Sequence, residues 1–240
     1  MMDYLNKNLM ESTDDAAFRH REPFPWLNPE GFITEEGFAK LLSNMPEPEL
    51  FEQSFGVKRQ HGQLSHDRLT LDYREDLPIA ECWHEFVREL RGDDYQRFVR
   101  RMFGRGFFRL VMHWHYTPNG CSVSPHCDST RKLGSHIFYF NDETSWKPDW
   151  GGETVILDDG GRFPTKSAPR FEDFDREIPA EAMGNRSLLF ARRGSSWHGV
   201  RPIQCPPGAL RKVFIIVMED WALGLGHRIV QRARGKRVAA

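Results

Sequence analysis

The chain has 240 residues, with 33 lysine and arginine residues against 34 aspartate and glutamate residues. This near-zero net charge gives no electrostatic reason to expect binding to nucleic acid or to an acidic membrane surface. The length allows one domain with a sizeable buried core, and four scattered cysteines without a CxxC pair indicate neither a disulfide framework nor a thiolate zinc site.

The sequence shows no membrane-directed segment. No stretch reaches the roughly 18 to 20 apolar residues that span a bilayer, and the start "MMDYLNKNLMESTDD" lacks the apolar core of a signal peptide. We therefore expect a cytoplasmic protein with no membrane and no nucleic-acid partner. Its partner is expected to be a small molecule or one defined patch of protein, and its oligomeric state stays open.

The first third of the chain predicts helices. Residues 1–22 are polar and charged, which predicts a loosely ordered start. Thr34 has the features of an N-cap, and the apolar spacing after Glu35 predicts an amphipathic helix. Residues 78–103 repeat that pattern as one or two helices with a break at Gly92.

After Gly106 the pattern changes to short aromatic and β-branched runs between Gly, Pro, Asn and Asp. These runs are "FFRLVMHWHYTP", "HIFYFND", "ETVILDD", "NRSLLFARR" and "RKVFIIVMED". Their spacing predicts a sandwich or barrel of the jelly-roll type. We predict a single domain in which residues 1–105 form a helical extension, residues 106–222 the β core and residues 223–240 a basic tail.

Three metal-competent residues stand out in the β region. In an extended segment His126 and Asp128 point to the same side. His198, in "SSWHGVRP", follows a strand-like run from which a jelly roll can bring it back across the barrel. Two imidazoles and one carboxylate form the triad that binds non-haem Fe(II) and leaves three coordination positions open. An HxD pair alone is weak evidence, because it is common by chance and a histidine is usually a surface or core residue.

The order of several short motifs strengthens this interpretation. They are "HYTPNG", "HCD", "IFYFND", "GGETVI", "GNRSLLF", "WHGVRP" and "LRKVFIIV". In this order the chain resembles, over residues 107–220, the Fe(II)- and 2-oxoglutarate-dependent dioxygenases of the prolyl-hydroxylase-like group. The resemblance implies a mainly β fold, a double-stranded β-helix (jelly-roll or cupin-like) core braced by N-terminal α-helices. It also implies Fe(II) bound by His126, Asp128 and His198, 2-oxoglutarate as co-substrate, and ascorbate as a further candidate cofactor.

The resemblance assigns a co-substrate site as well. Arg211, at the start of a strand, would pair with the distal carboxylate of 2-oxoglutarate, since a planar guanidinium binds a carboxylate through two hydrogen bonds. Strand alternation favours Arg211 over its neighbour Lys212, and Arg201 lies close to the distal histidine. Tyr116 and Tyr139 fall where the family places co-substrate contacts, although each also fits a core aromatic with a satisfied hydroxyl.

Two loops bear on this assignment. The interval between the distal histidine and the arginine is longer than usual in the family, and Pro206, Pro207 and Gly208 are predicted to form a turn that absorbs the extra residues. Residues 141–150 carry Trp146 and Trp150, a composition that fits a lid over the pocket as well as an ordinary surface loop.

The implied activity is hydroxylation of an unactivated C–H of a small metabolite, amino acid or peptidyl residue such as proline. O2 would be consumed, and succinate and CO2 would be formed. Aspartate at position 128, where related halogenases have Gly or Ala, favours hydroxylation over halogenation. Two alternatives stay open: a non-catalytic jelly-roll binding or sensing protein, and a metal-dependent enzyme that does not use 2-oxoglutarate.

Overall fold

Two antiparallel β-sheets pack against each other and carry helices on one outer face. The computed structural model describes residues 2–223 and 226, so the predicted basic tail lies outside the described residues apart from Leu223 and Gly226. The strands are β1 Trp26–Leu27, β2 Glu52–Ser54, β3 Arg68–Asp72, β4 Phe108–Thr117, β5 Val123–His126, β6 Lys132–Tyr139, β7 Val155–Asp158, β8 Arg176–Pro179, β9 Ser187–Ala191, β10 Trp197–Val200 and β11 Arg211–Asp220. The large sheet has the order β1-β9-β6-β11-β4-β3-β2, and the small sheet has the order β5-β10-β7-β8.

The helices lie before the β core in the chain. They are α1 Lys7–Ser12, α2 Asp15–Arg19, α3 Glu35–Leu42, α4 Glu81–Leu90 and α5 Asp93–Phe103, and short 3-10 turns cover Pro48–Leu50, Gln60–Gly62, Pro148–Trp150 and Phe171–Asp173. The predicted cap is confirmed, because the Thr34 hydroxyl accepts the Gly37 N–H at 3.2 Å. The predicted break is confirmed too, since Gly92 separates α4 from α5. Among the described residues, no helix is long and apolar enough to cross a membrane.

The N-terminal segment differs from the expectation. Residues 1–22 were expected to be loose, yet α1 and α2 pack on α5 and bury Met10 and Phe18. Two backbone N–H groups, of Tyr4 and Leu5, donate to the Glu89 carboxylate at 2.8 and 3.0 Å. The apolar residues that hold this segment in place are few and irregularly spaced, so the sequence shows no helical periodicity there.

The region of residues 1–105 is also more than a helical extension. It contributes β1 to one edge of the large sheet, paired with β9, and β3 and β2 to the other, where β3 pairs with β4 and β2 with β3. The helices cover the outer face of that sheet, where Trp83 and Phe86 contact Phe214 and Phe138. This packing leaves the inner face of the large sheet opposite the small sheet, and the space between them holds the site described next.

Candidate active site

His126, Asp128 and His198 come together in space. Their candidate ligand atoms all lie within 4.8 Å of one another, and among the described residues they form the one such group of three. His126 ends β5 and His198 lies on β10 directly opposite, as an antiparallel register pair. Asp128 follows two residues after His126, so the local spacing and one strand pairing are sufficient to assemble the group.

The hydrogen bonds of the two histidines leave the correct nitrogen for a metal. Nδ1 of His126 lies 3.0 Å from the Ser124 carbonyl oxygen, and Nδ1 of His198 lies 3.1 Å from the Ser196 carbonyl oxygen. A carbonyl only accepts, so each Nδ1 carries the proton and each Nε2 keeps its lone pair. Such outer partners fix the ring orientation of metal-binding histidines. The donor set therefore fits Fe(II).

The electrostatic environment of the group favours two neutral histidines and one anionic aspartate as metal ligands. Burial lowers the pKa of both His126 and His198, which keeps the rings uncharged. Burial alone would raise the pKa of Asp128, but the charge and hydrogen bond of Lys132 outweigh it and hold that pKa below its usual range. The Lys132 ammonium lies 2.6 Å from the Asp128 carboxylate. Asp128 is thus anionic although only 7% exposed.

Arg211 lies on the inner face of β11, as strand alternation predicted. It is buried, and its guanidinium donates to the carbonyl of Gly152 and, at 3.4 Å, to the Thr154 hydroxyl. Lys212 lies on the opposite face, over the Tyr116 ring. Arg201 is half-buried and pairs with Glu177 at 2.5 Å. Of the three cations considered, Arg211 alone lines the cavity that holds the triad.

The close approach of Gly152 to Arg211 explains one glycine of the "GGET" motif. Gly152 has a φ of +98°, and an added Cβ would lie 3.1 Å from Arg211 Cδ. A side chain there would be strained by the backbone and would push on the arginine. The turn that the sequence predicted thus also positions the guanidinium. The Pro206–Gly208 segment forms a turn too, closed by a hydrogen bond from Ala209 N–H to the Pro206 carbonyl.

The two tyrosines differ in position. Tyr139 is buried beside Arg211, whose guanidinium carbon lies 5.6 Å from the ring centroid, and its hydroxyl donates to Thr154 at 3.0 Å. Its direct contact with 2-oxoglutarate stays a prediction. The prediction for Tyr116 was wrong: its side chain lies on the helix-covered face of β4, where its hydroxyl donates to the Pro46 carbonyl at 2.8 Å and its ring stacks on Phe51.

The tryptophans of the 141–150 loop do not line the triad cavity. Trp146 is buried against Trp150, with its indole N–H donating to the Gly151 carbonyl at 2.8 Å. Both belong to a separate apolar cluster with Ile203. The lid hypothesis is therefore contradicted, and Trp146 instead supports the turn at Gly152, since a Cβ on that glycine would lie 3.4 Å from its ring.

The structure adds cavity residues that the sequence reasoning missed. His113 and His115 stack on the inner face of β4 with ring centroids 4.5 Å apart, and Arg68 projects from β3 into the same cavity. Alternation along "HWHYT" put these histidines on one face, but nothing local showed that this face was the inner one. Lys132, four residues after Asp128, was detectable only as a charge near the candidate ligands.

Comparisons with known proteins agree with this geometry. Residues 111–217 match the family model described as the 2OG-Fe(II) oxygenase superfamily, which spans β4 to β11. Over this segment, somewhat less than half of its length, the chain is similar to that superfamily. The description of that family names Fe(II) and 2-oxoglutarate, and His126, Asp128 and His198 are the residues of this chain that could bind the iron.

Solved structures with this fold include enzymes that catalyse different reactions. The chain is similar to a prolyl-4-hydroxylase from Pseudomonas putida, with a TM-score of 0.56 and 12% identity over 88% of this chain and 99% of that one. A prolyl hydroxylase from Trichoplax adhaerens, in complex with a hypoxia inducible factor peptide fragment, is similar with a TM-score of 0.58 and 14% identity over 89% of this chain and 90% of that one. The carbocyclase SnoK from nogalamycin biosynthesis is similar with a TM-score of 0.59 and 10% identity over 88% of this chain and 85% of that one. The predicted double-stranded β-helix fold is confirmed, and no curated protein sequence matches the chain.

Proposed function

We propose that this oxygenase hydroxylates an unactivated C–H bond of a small or peptidyl substrate, with O2 and 2-oxoglutarate consumed and succinate and CO2 released. The observation that carries the proposal is the convergence of the HxD…H triad and Arg211 on one cavity of about 190 Å³. A non-catalytic binding protein has no need of all four residues. An enzyme without 2-oxoglutarate would leave the buried Arg211 without a carboxylate to bind.

In the proposed mechanism the protein supplies position and charge. His126, Asp128 and His198 would hold iron from one side and leave three positions for co-substrate and O2. Bound Fe(II), with 2-oxoglutarate and O2, supplies the oxidation of the C–H bond. Arg211 would bind the distal carboxylate of 2-oxoglutarate.

Two neighbours of Arg211 fix it for this role. Thr154 accepts hydrogen bonds from both Arg211 and Tyr139, so the guanidinium is held before any ligand arrives. Pre-positioned donors lose little conformational entropy when the carboxylate binds.

Hydroxylation is favoured over halogenation by the intact carboxylate ligand. Halogenases need an open iron position where Asp128 stands, and this carboxylate is ordered and anionic. Prolyl hydroxylases are among the neighbours, but so are a carbocyclase and an epimerase. Proline therefore stays one candidate substrate, and a requirement for ascorbate stays a prediction that omission from the assay would check.

The test combines metal binding with co-substrate turnover. His126→Ala and Asp128→Ala should each abolish high-affinity Fe(II) binding in an anaerobic titration, because each removes a ligand and leaves the β core in place. His20→Ala, at an exposed histidine on the helical side, is the matched control. The wild-type protein should convert 2-oxoglutarate to succinate only with Fe(II). Full activity in either ligand variant, or succinate formation without iron, would contradict the proposal.

A further inference from the structure

Two cavities meet at the candidate iron site. The inner cavity, of about 190 Å³, holds the triad and Arg211, and an outer one of about 460 Å³ lies between the 57–63 loop and Arg192. Asp128 and Arg59 line both. Small-molecule sites usually measure about 300–1,000 Å³. The inner cavity is smaller than that, so the body of a substrate would lie in the outer cavity and reach inward at Asp128.

The walls of the two cavities carry an excess of positive charge. The cationic residues are Lys58, Arg59, Arg68, Lys132, Lys166, Arg192 and Arg211, and the carboxylates are Asp67 and Asp128. Asp128 is paired with Lys132, and Asp67 faces the loop, where it accepts hydrogen bonds from Ser65 and Gly56. Bound Fe(II) and the 2-oxoglutarate dianion would cancel each other's charge, so the excess persists in the loaded enzyme.

Most of these cations form no ion pair with a carboxylate in the part of the chain that the structure describes. Within residues 2–223 only Lys132 among them forms an ion pair, whereas many exposed arginines elsewhere do so, such as Arg91 with Glu75 at 2.7 Å. Low-dielectric walls lined by one sign of charge focus the field into a cleft. A cleft of this sign attracts an anion.

Arg68 is the most constrained of these cations. The β3–β4 register places Leu69 opposite Tyr116, so Arg68 lies beside Thr117, which is in turn paired with Arg211. Neighbouring strands are about 4.8 Å apart, which puts the backbones of the two arginines about 10 Å apart across one inner face. This separation gives each guanidinium its own place in the cavity.

The hydrogen bonds of Arg68 leave part of its guanidinium unused. One terminal nitrogen donates to the His66 carbonyl at 2.8 Å, while Nε is buried and has no hydrogen-bond partner within the described residues. Burial lowers the pKa of Arg68, and the nearby Arg59 lowers it further, whereas Asp72 and Asp67 act in the opposite direction. Arg59 and Arg68 therefore repel each other, and an anion bound between them would relieve that repulsion.

We propose that Arg59 and Arg68 form an oxyanion subsite for the substrate, so that this oxygenase acts on a molecule bearing a carboxylate or phosphate group. The planar fork of a guanidinium binds either group through parallel charge-assisted hydrogen bonds. The anionic group would anchor the substrate at the junction of the cavities and direct the rest of it toward the iron. This inference rests on the proposed function for the reaction, but the subsite itself is defined by the two arginines.

The test is calorimetric titration of the anaerobic Fe(II) protein saturated with 2-oxoglutarate. The probes are benzoate, phenyl phosphate and the neutral benzyl alcohol. At least one anionic probe should bind and the neutral probe should not. Arg59→Gln and Arg68→Gln should each weaken binding tenfold or more, while Arg176→Gln, at an exposed arginine outside both cavities, should not. Tighter binding of phenyl phosphate indicates a phosphorylated substrate, and tighter binding of benzoate indicates a carboxylic acid.

Three results would overturn the subsite: no binding of either anion at millimolar concentration, equal binding in all variants, or binding that disappears when 2-oxoglutarate saturates. Arg59 is exposed, so its variant remains informative if Arg68→Gln unfolds. Failure of the proposed function would look different. In that case 2-oxoglutarate itself would not bind, or no succinate would form, whatever the anionic probes do.

Discussion

Replacing Arg211 with glutamine should separate co-substrate binding from iron binding. Arg211 is only 7% exposed, and its guanidinium is held by Gly152 and Thr154 in the triad cavity. Glutamine is shorter and neutral, so the variant would leave the distal carboxylate of 2-oxoglutarate in a buried place without a charged partner. Iron affinity should stay within a few-fold of wild type, because no iron ligand changes.

The expected loss follows from the burial of the pair. Removing one partner of a buried ion pair costs about 3–5 kcal/mol, since the other charge remains desolvated. Each 1.4 kcal/mol is a factor of ten in the dissociation constant, so the affinity for 2-oxoglutarate should fall about 100-fold or more. Loss of the donor to the Gly152 carbonyl should also lower the free energy of unfolding by about 1–3 kcal/mol.

The assay is anaerobic titration of the Fe(II) protein with 2-oxoglutarate, with thermal unfolding as the check on folding. Lys212→Gln is the matched control on the same strand but the opposite face, and Arg201→Gln tests the arginine near His198 that pairs with Glu177. Both should bind 2-oxoglutarate like the wild type. An unchanged dissociation constant in Arg211→Gln, together with a large increase in either control, would refute the assignment.

Three further changes test other parts of the structure. Gly152→Ala should weaken 2-oxoglutarate binding about tenfold by displacing the anchor arginine, whereas Gly161→Ala, with a φ of +80° but open space around it, should show only the backbone strain of about 1–3 kcal/mol in unfolding. Equal 2-oxoglutarate affinity in both variants would contradict this role. Burial lowers the pKa of His136 to about 3, so the unfolded state binds the extra proton and stability falls as pH drops below about 6.5. His136→Gln should reduce that slope by up to about 1.4 kcal/mol per pH unit in urea unfolding between pH 6 and 4, and an unchanged slope would show that the histidine does not stay neutral. Trp146→Ala should lower the free energy of unfolding by about 3–5 kcal/mol, as for a buried aromatic; unchanged stability with less hydroxylated product per succinate would restore the lid hypothesis.

Features that depend on local spacing were predictable from the sequence. His126 and Asp128 share a side because side chains alternate along an extended chain, and the same rule separated Arg211 from Lys212. Thr34 caps its helix through a hydrogen bond to a residue only three positions away in the sequence. Such relations are set by backbone geometry within a few residues, so no knowledge of distant contacts is needed.

The sequence did not show which face of β4 lines the cavity. Both faces of the large sheet are covered, one by helices and one by the small sheet. β4 alternates between apolar residues such as Trp114 and Tyr116 and polar residues such as His113 and His115, but this alternation separates the two faces without showing which of them lines the cavity. The tyrosine was therefore assigned to the wrong face. Only the packing of α4 against the sheet decides the matter, because it determines which side chains face helices.

The charge of the site was likewise decided by the tertiary structure. The whole chain is nearly neutral, and that balance indicated neither nucleic acid nor an acidic membrane surface as a partner. Folding brings Arg59, Arg68, Lys166 and Arg192, from four separate segments, to the walls of the two joined cavities. Electrostatic potential depends on distances between charges and on burial. Composition contains neither quantity, so a neutral chain can fold around a strongly positive cleft.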